Sequence, residues 1–153
     1  MTALTERLAQ LGLMLPPAQA PLASYVPARR AGQLLYMSGH VSRAAGAVVT
    51  GVVGADVDTA TAQGLARAIA LDLVASAAAV LGSADRIAGV VRVTGYVRSA
   101  PGFDGQPAVI NGASDLFVEL FGEPGRHARS AVGVNELPLG AVVEIEAIFE
   151  VAG

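Results

Sequence analysis

The chain is predicted to fold as an α+β domain, with one mixed β-sheet and two long helices on one face of that sheet. Its length of 153 residues suits a single domain with a sizeable core. Hydrophobic residues make up 53% of the chain, which is typical of a folded globular protein. Segments with helical and extended periodicity follow one another in the order β-β-(β)-α-β-α-β-β. No second domain or internal repeat is indicated.

The N-terminal residues 1–17 are predicted to form a short amphipathic helix and a linker. Leucines recur at helical spacing over residues 3–11, and Gly12 can end the helix. Two consecutive prolines then make a stiff connector. Because a proline-rich linker follows it, we interpret the helix as an appendage to a core domain that spans residues 18–153.

Two strands and an irregular segment are predicted next. The strands cover residues 25–30 and 33–38. The continuous apolar run Leu34–Met37 indicates that the second strand is buried on both faces. Residues 39–54 are rich in glycine, alanine and valine, and we expect a loop there with one short irregular strand near residues 47–50.

The first long helix is predicted over residues 59–81. Asp58 suits its N-cap and Gly82 suits its C-terminal end. Small and apolar residues recur at steps of three and four and mark a thin buried face. The members of this stripe are Ala62, Ala66, Ile69, Leu73, Ala77 and Val80.

A further strand and the second long helix follow. Residues 86–98 form a strongly apolar strand, and residues 99–105 form a loop. The second helix is predicted over residues 107–121, with Pro107 suited to its first turn. Gly112 weakens this prediction, because glycine costs about 1 kcal/mol in a helix interior.

The segment from His127 to Val151 is predicted to form two strands around a Pro/Gly turn. Side chains alternate along a strand, so Arg129, Ala131 and Gly133 share one face. The two small residues leave open space beside the guanidinium, and an arginine fork with such space suits a small carboxylate. A solvated or structurally paired surface arginine is an equally open interpretation.

The last strand carries Glu144, Glu146 and Glu150 at even spacing. They alternate with apolar residues, as expected for a strand with one solvated face. The pattern alone therefore favours ordinary exposed carboxylates.

Composition excludes several classes of chemistry. The chain contains no cysteine and no lysine, which removes thiol catalysis, lysine Schiff bases and the lysine of a phosphate-binding P-loop. Its two histidines, His40 and His127, are too few for a histidine-rich metal site, and we expect both in exposed loops. No metal and no organic cofactor is predicted.

Charge and hydropathy bear on partners and location. The formal net charge of −3 argues against nucleic acid as the main partner. The N-terminus lacks the pattern of a signal peptide. The most apolar stretch, residues 68–81, is short and contains Asp72, so no membrane span is predicted. The sequence is compatible with a cytoplasmic protein.

The predicted architecture leaves one face of the sheet without a cover. Two helices can cover only one face, yet several strands are apolar on both. A second copy of the chain is the simplest partner for the other face. We therefore expect a homo-oligomer with its sheets packed inward.

Three motifs resemble those of the YjgF/RidA family, the reactive intermediate deaminases, over about residues 22–151. The third is the specific one. The motifs are Ser24–Val26 followed by Leu35–Gly39, the long helix feeding the strand Val90–Val97, and Ala128–Val132 followed by Glu144–Ile148. The N-terminal helix and the stretch Gln106–Ser114 look like a longer subgroup of this family.

This resemblance implies a chorismate-mutase-like fold and a homotrimer with ligand sites in clefts between subunits. It implies hydrolysis of reactive enamines and imines, such as 2-aminoacrylate, to 2-keto acids and ammonia. Arg129 matches the arginine that clamps the substrate carboxylate, and Glu144 matches the acid that positions water. Tyr25, Ser38, Gly39 and Ala131 match other ligand-binding positions.

Three positions depart from the family pattern. Ala131 replaces a cysteine, His40 replaces a glutamine and His127 replaces a proline. These departures leave open a sensor or binding protein for small carboxylates that does not catalyse a reaction. RNA cleavage or translation inhibition, a label often attached to the family, fits poorly with an acidic chain that lacks lysine.

Overall fold

The structure is a computed structural model that describes residues 2–21 and 23–153. The first residue of the predicted segment 1–17, and Leu22 at the start of the family resemblance, lie outside the described residues. The helices are α1 (Leu4–Gln10), α2 (Thr59–Leu81) and α3 (Gln106–Phe121). The strands are β1 (Ala28–Ala31), β2 (Leu34–Met37), β3 (His40–Val41), β4 (Arg43–Ala44), β5 (Ala47–Val48), β6 (Ile87–Arg98), β7 (Ala128–Val134) and β8 (Val143–Val151).

One six-stranded sheet organises the molecule, with strand order β1-β2-β8-β6-β7 and β3 paired to β8 beside the end of β2. β6 and β7 run parallel, whereas the other pairs in this sheet are antiparallel. The parallel pair requires a crossover, and α3 provides it. β4 and β5 form a separate hairpin. The predicted mixed α+β architecture is therefore confirmed.

The two long helices pack on the same face of the sheet. The side chains that β6 and β8 direct toward the helices, such as Val93, Val97, Ile145 and Phe149, are fully buried. On the opposite face, Tyr36 of β2 and Val132 of β7 are each 45% exposed in the single chain. The helices thus cover one face, as the sequence predicted.

α2 begins and ends where the sequence indicated. The Asp58 carboxylate accepts a hydrogen bond from the backbone N–H of Thr61 at 2.7 Å, and Gly82 ends the helix in the left-handed conformation. The predicted buried stripe is wrong at Val80, which is 46% exposed. Leu81, four residues after Ala77, takes the buried position instead, because a full turn ends nearer four residues than three.

α2 is also long and apolar enough to span a membrane, judged by length and composition alone. The core helix of a soluble fold meets the same criteria. In this structure, more than half of the most apolar 18-residue segment of α2 is buried inside the chain.

Gly112 strengthens α3 packing although it lowers helix propensity. A Cβ at this position would lie 2.0 Å from the carbonyl oxygen of Gln63 on α2. The glycine therefore allows the two helix backbones to approach closely. α3 runs without interruption through it and starts at Gln106, one residue before the predicted start.

The segment before α2 differs most from its prediction. β1 starts at Ala28, so Tyr25 lies in a bend before the strand and not on it. β2 buries Leu35 and Met37, but Tyr36 is exposed, so the strand is not covered on both faces of a single chain. Residues 39–54 contain three short strands where one was expected.

α1 packs against the core and is not an appendage. Leu4 and Leu8 are buried in the main hydrophobic cluster. The backbone N–H and the hydroxyl of Thr5 donate to the Asp85 carboxylate at 2.8 and 2.9 Å, and Arg7 Nε donates to the carbonyl oxygen of Glu119 at 2.8 Å. These contacts attach the N-terminal helix to the 3-10 turn Ala84–Arg86, which follows α2, and to the end of α3.

Candidate functional site

A cavity of about 330 Å³ opens at the junction of β2, β3 and β8. The connector between α1 and β1 forms one of its walls. It gathers four residues that the family resemblance singled out, together with two that it did not assign to the site. These six lining residues are Tyr25, Ser38, Gly39, Glu144, His40 and Arg43.

Ser38 fixes the wall of the cavity that carries Tyr25. Its hydroxyl donates to the carbonyl oxygen of Val26 at 2.6 Å, and its backbone N–H donates to that of Pro27 at 2.9 Å. The side chain therefore ties the bend before β1 to the end of β2. This is the strand-closing contact expected of a serine at such a position.

Gly39 provides space for the Glu144 carboxylate. A Cβ on Gly39 would lie 2.8 Å from Glu144 Oε1, closer than real Cβ atoms approach another atom. The carboxylate is thus packed directly on the backbone. Gly39 and Glu144 therefore pack against each other where they line the cavity.

Glu144 is half-buried, and its environment favours the protonated form. Burial raises the pKa of its carboxyl group, and the nearby negative charge of Glu146 raises it further. Glu146 accepts a hydrogen bond from the Tyr96 hydroxyl at 3.3 Å. A half-buried carboxylate with a raised pKa inside a cavity is a candidate acid–base group.

His40 is buried, contrary to the prediction of an exposed loop residue. It is 8% exposed, and burial, followed by the positive charge of Arg43, lowers its pKa to about 4. The imidazole is therefore neutral at pH 7. Its Nδ1 atom has no hydrogen-bond partner among the residues that the structure describes.

Arg43 is a cavity residue that the sequence analysis missed. It belongs to a two-residue strand in a glycine-rich and alanine-rich segment, where periodicity gives no signal. One of its terminal nitrogens donates to the carbonyl oxygen of Gly46 at 3.1 Å. Only the tertiary fold brings this hairpin to the cavity.

Arg129 lies elsewhere, on the edge strand β7. Its Nη1 atom donates to Asn111 Oδ1 at 2.8 Å and to Ser114 Oγ at 3.1 Å, and its Nη2 atom donates to the carbonyl oxygen of Pro107 at 3.4 Å. α3 therefore holds the guanidinium on the helix-covered side of the sheet. Ala131 follows it on the same side, against the core.

Strand register separates Arg129 from Glu144. Arg129 pairs with Val93, which is buried under the helices, whereas Glu144 pairs with Tyr96. Directly paired residues point to the same face of a sheet, and neighbours along a strand point to opposite faces. The two predicted catalytic residues thus lie on opposite faces within one chain.

His127 lies in the loop before β7, as predicted, but it is half-buried and not exposed. Its ring contacts Phe117 edge-on, with centroids 5.8 Å apart. Burial is the main cause that lowers the pKa of this imidazole. Within residues 2–21 and 23–153, no three His, Asp or Glu side chains are placed to hold a metal ion together.

The sheet with its helices on one face, and the arginine and glutamate on its C-terminal strands, define the protein class. A family model described as endoribonuclease L-PSP matches residues 17–151. The chain belongs to this family, which is the YjgF/RidA family of the sequence motifs.

Individual relatives cover nearly the whole chain. Protein TCP17 of Trypanosoma cruzi is 45% identical over 94% of this chain and 91% of its own. The crystal structure of Atu1372 from Agrobacterium tumefaciens, a protein of unknown function, is 46% identical, covers 97% of this chain and 92% of its own, and has a TM-score of 0.88. RidA from an Antarctic Psychrobacter is 27% identical over 88% of this chain and 94% of its own, with a TM-score of 0.56.

Proposed function

We propose that the protein hydrolyses reactive imines and enamines of the 2-aminoacrylate type to 2-keto acids and ammonia. Membership of the YjgF/RidA family supports this class of reaction. The observation that carries the proposal is the Glu144 carboxylate, which is half-buried in a cavity against Gly39 and has a raised pKa. An exposed, solvated strand carboxylate would have neither property.

The reaction needs few groups. Water adds to the C=N carbon of a protonated 2-imino acid while Glu144 accepts one proton from that water. The proton then passes to the nitrogen of the resulting carbinolamine. Ammonia leaves as the hydroxyl proton passes to Glu144 and the C=O bond forms. Glu144 then gives this proton to ammonia, so the products are a 2-keto acid and ammonium. A positioned acid–base group contributes about 10²–10⁴-fold to such a step.

Arg129 is proposed to bind the substrate carboxylate. Its guanidinium is held by α3, and the adjacent Ala131 is small. A rigid arginine fork binds a carboxylate through two parallel hydrogen bonds. This contact orients the C=N carbon but adds no proton to the reaction.

Because Arg129 and Glu144 lie on opposite faces of the sheet, we propose that the complete site forms between copies in a homotrimer. The uncovered face carries exposed apolar side chains, including Tyr36 and Val132. A second copy of the chain would bury this surface. It could also present its own Arg129 to the cavity that holds Glu144.

A coupled assay tests the proposed reaction. An amino-acid oxidase or dehydratase generates the imine, and 2-keto acid formation is followed with and without the protein. Arg129→Ala and Glu144→Gln should each abolish the acceleration. Arg126→Ala and Glu150→Gln are matched controls, because both side chains are exposed outside the cavity, and they should retain it. No acceleration by folded wild type would contradict the proposal.

Two other functions can be tested with the same variants, by ligand-binding and RNA-cleavage assays. Saturable binding of a small carboxylate without turnover would indicate a binding protein. RNA cleavage that disappears in Glu144→Gln would favour the endoribonuclease named in the family description. The net charge of −3 argues against the latter, because nucleic-acid affinity comes largely from cationic contacts with phosphate.

A further inference from the structure

A chain of hydrogen bonds runs from the guanidinium of Arg129 into the protein. Arg129 Nη1 donates to Ser114 Oγ at 3.1 Å, and Ser114 Oγ lies 2.8 Å from His127 Nε2. His127 Nδ1 lies 2.7 Å from the carbonyl oxygen of Gly125. Gly125 is buried, and a Cβ there would lie 2.3 Å from the Phe117 carbonyl oxygen, so the end of this chain is firmly packed.

The donors and acceptors of this chain can be assigned in one consistent way. A carbonyl oxygen only accepts, so His127 Nδ1 carries a hydrogen and donates to Gly125. In the neutral ring Nε2 is then an acceptor, and it receives the hydroxyl hydrogen of Ser114. The Ser114 oxygen in turn accepts from Arg129. Burial lowers the pKa of His127, which agrees with a neutral ring.

The same contacts determine which edge of the guanidinium a ligand can use. Nη1 has two hydrogens, and both are donated, one to Asn111 Oδ1 and one to Ser114 Oγ. Nη2 uses one hydrogen for the carbonyl oxygen of Pro107. Within residues 2–21 and 23–153 Nε has no hydrogen-bond acceptor, so two parallel N–H bonds remain on one side, those of Nε and Nη2. They have the spacing of the two oxygens of a carboxylate.

We propose that Asn111, Ser114 and neutral His127 are positioning residues that saturate Nη1 of Arg129, so that the substrate carboxylate binds side-on to Nε and Nη2. This inference rests on the proposed function for the identity of the ligand. It assigns a role to His127, one of the departures from the family motif. It also gives a role to Asn111 and Ser114, which the sequence placed in a helix and in the stretch Gln106–Ser114 without assigning either to the site.

The tautomer of His127 is the first measurement. In water a neutral imidazole carries its hydrogen mainly on Nε2, whereas the network requires it on Nδ1. The ¹⁵N chemical shifts of the His127 ring in the full-length protein at pH 7 distinguish the two forms. A ring with its hydrogen on Nε2, or a doubly protonated ring, would overturn the inference whatever the enzymatic activity.

Ligand binding is the second measurement, with pyruvate as the probe. Ser114→Ala and His127→Phe should each weaken pyruvate binding by about tenfold, since each removes a hydrogen bond that orients a charged group. His127→Gln offers an acceptor for the serine hydroxyl and should restore part of the affinity. Ser76→Ala is the matched control, because it removes a buried helix hydroxyl that has no partner among the described residues.

The kinetic consequence separates this inference from the proposed function. With an imine substrate, the Ser114 and His127 variants should raise KM more than they lower kcat. Pyruvate binding that depends on these residues without any imine hydrolysis would leave the network in place and reject the deaminase. Imine hydrolysis with unchanged KM and pyruvate affinity in both variants would reject the network and leave the deaminase. Wild type that binds no pyruvate would also overturn the side-on contact.

Discussion

At the scale of single residues, the position of the Glu144 side chain in the cavity depends on Gly39. Glu144 Oε1 occupies the space where any other residue at position 39 would place its Cβ. The carboxylate must therefore move if this glycine is replaced. We predict that Gly39→Ala lowers kcat/KM for imine hydrolysis by about 10²-fold, because the displaced acid–base group loses its alignment.

The control for this change is Gly64→Ala on the exposed side of α2, where an added Cβ meets no atom within 4 Å. It should leave the kinetics unchanged. Urea unfolding of both variants shows whether the fold is retained. Gly39→Ala with wild-type kinetics would mean that the position of Glu144 is not important for turnover.

His40 gives a stability that depends on pH. Its pKa in the folded protein is about 4, below the value of 6.5 for an unperturbed histidine. As the pH falls from 6.5 to 4, the unfolded chain binds a proton there and the folded chain does not. The free energy of unfolding should therefore decrease in this window, by at most about 3 kcal/mol from this group.

Urea unfolding at pH 7, 5.5 and 4, compared between wild type and His40→Gln, measures this contribution. The comparison is needed because Asp72 and Glu144 have raised pKa values and act in the opposite direction. The variant should lose less stability on acidification than the wild type. Parallel losses in both proteins would show that His40 is not buried in its neutral form.

Sequence reasoning placed Tyr25, Ser38, Gly39 and Glu144 in one site only through the family motifs. Pattern alone favoured a solvated Glu144, because a strand with one open face looks the same whether or not a cavity lies over it. Arg43 was missed since its two-residue strand carries no periodic signal. Hydrogen-bond partners such as Ser114 depend on how α3 lies against β7, which local sequence does not specify.

Among the elements, the contact between α2 and α3 depends on one glycine. A Cβ at Gly112 would lie 2.0 Å from the Gln63 carbonyl oxygen, so Gly112→Ala must push two helix backbones apart. We predict a loss of about 1–3 kcal/mol in the free energy of unfolding. Gly64→Ala, also within a helix, should instead stabilise the protein by up to about 1 kcal/mol.

Chemical denaturation of the two variants checks this pair of opposite signs. Both substitutions raise helix propensity equally, so any difference between them comes from packing. Equal stabilisation by both would show that the helices are not in close contact at Gly112.

The two long helices were predictable because caps and apolar periodicity agree along their whole length. The region before α2 was not, because β3 pairs with the distant strand β8 and its two residues are fixed by that partner. The N-terminal helix was recognised, but its docking was not. Thr5 and Asp85 are 80 residues apart in sequence, and no local pattern links them.

At the scale of the whole molecule, Arg129 and Glu144 lie on opposite faces of the sheet. We therefore predict that two inactive variants complement each other when they assemble together. Arg129→Ala and Glu144→Gln protomers should each be inactive alone. Mixed in equal amounts, co-assembled and freed of the homotrimers, they should recover roughly a third of the wild-type activity, because each mixed trimer of the proposed kind has about one intact interface in three. Differently tagged chains, purified over both tags and assayed for imine hydrolysis, provide the measurement.

A mixture that stays inactive despite proven co-assembly would place both residues in one chain's own site. The mixed trimer is the appropriate sample, since a single chain brings only one half of the proposed machinery to each cavity. Recovery above that of either variant alone requires residues from two copies.

The two edge strands of the sheet, β1 and β7, differ in how well they are protected from pairing with a strand of another chain. β1 is short and carries the exposed Arg29 and Arg30, which discourage another strand from pairing with it. β7 is longer, Ala128–Val134, and mostly small or apolar, with its guanidinium directed toward α3. An unpaired edge of this kind can pair with strands of other chains, which leads to aggregation. We therefore expect variants that dissociate the proposed homotrimer to accumulate as aggregates, so that solubility would report on the proposed subunit contacts.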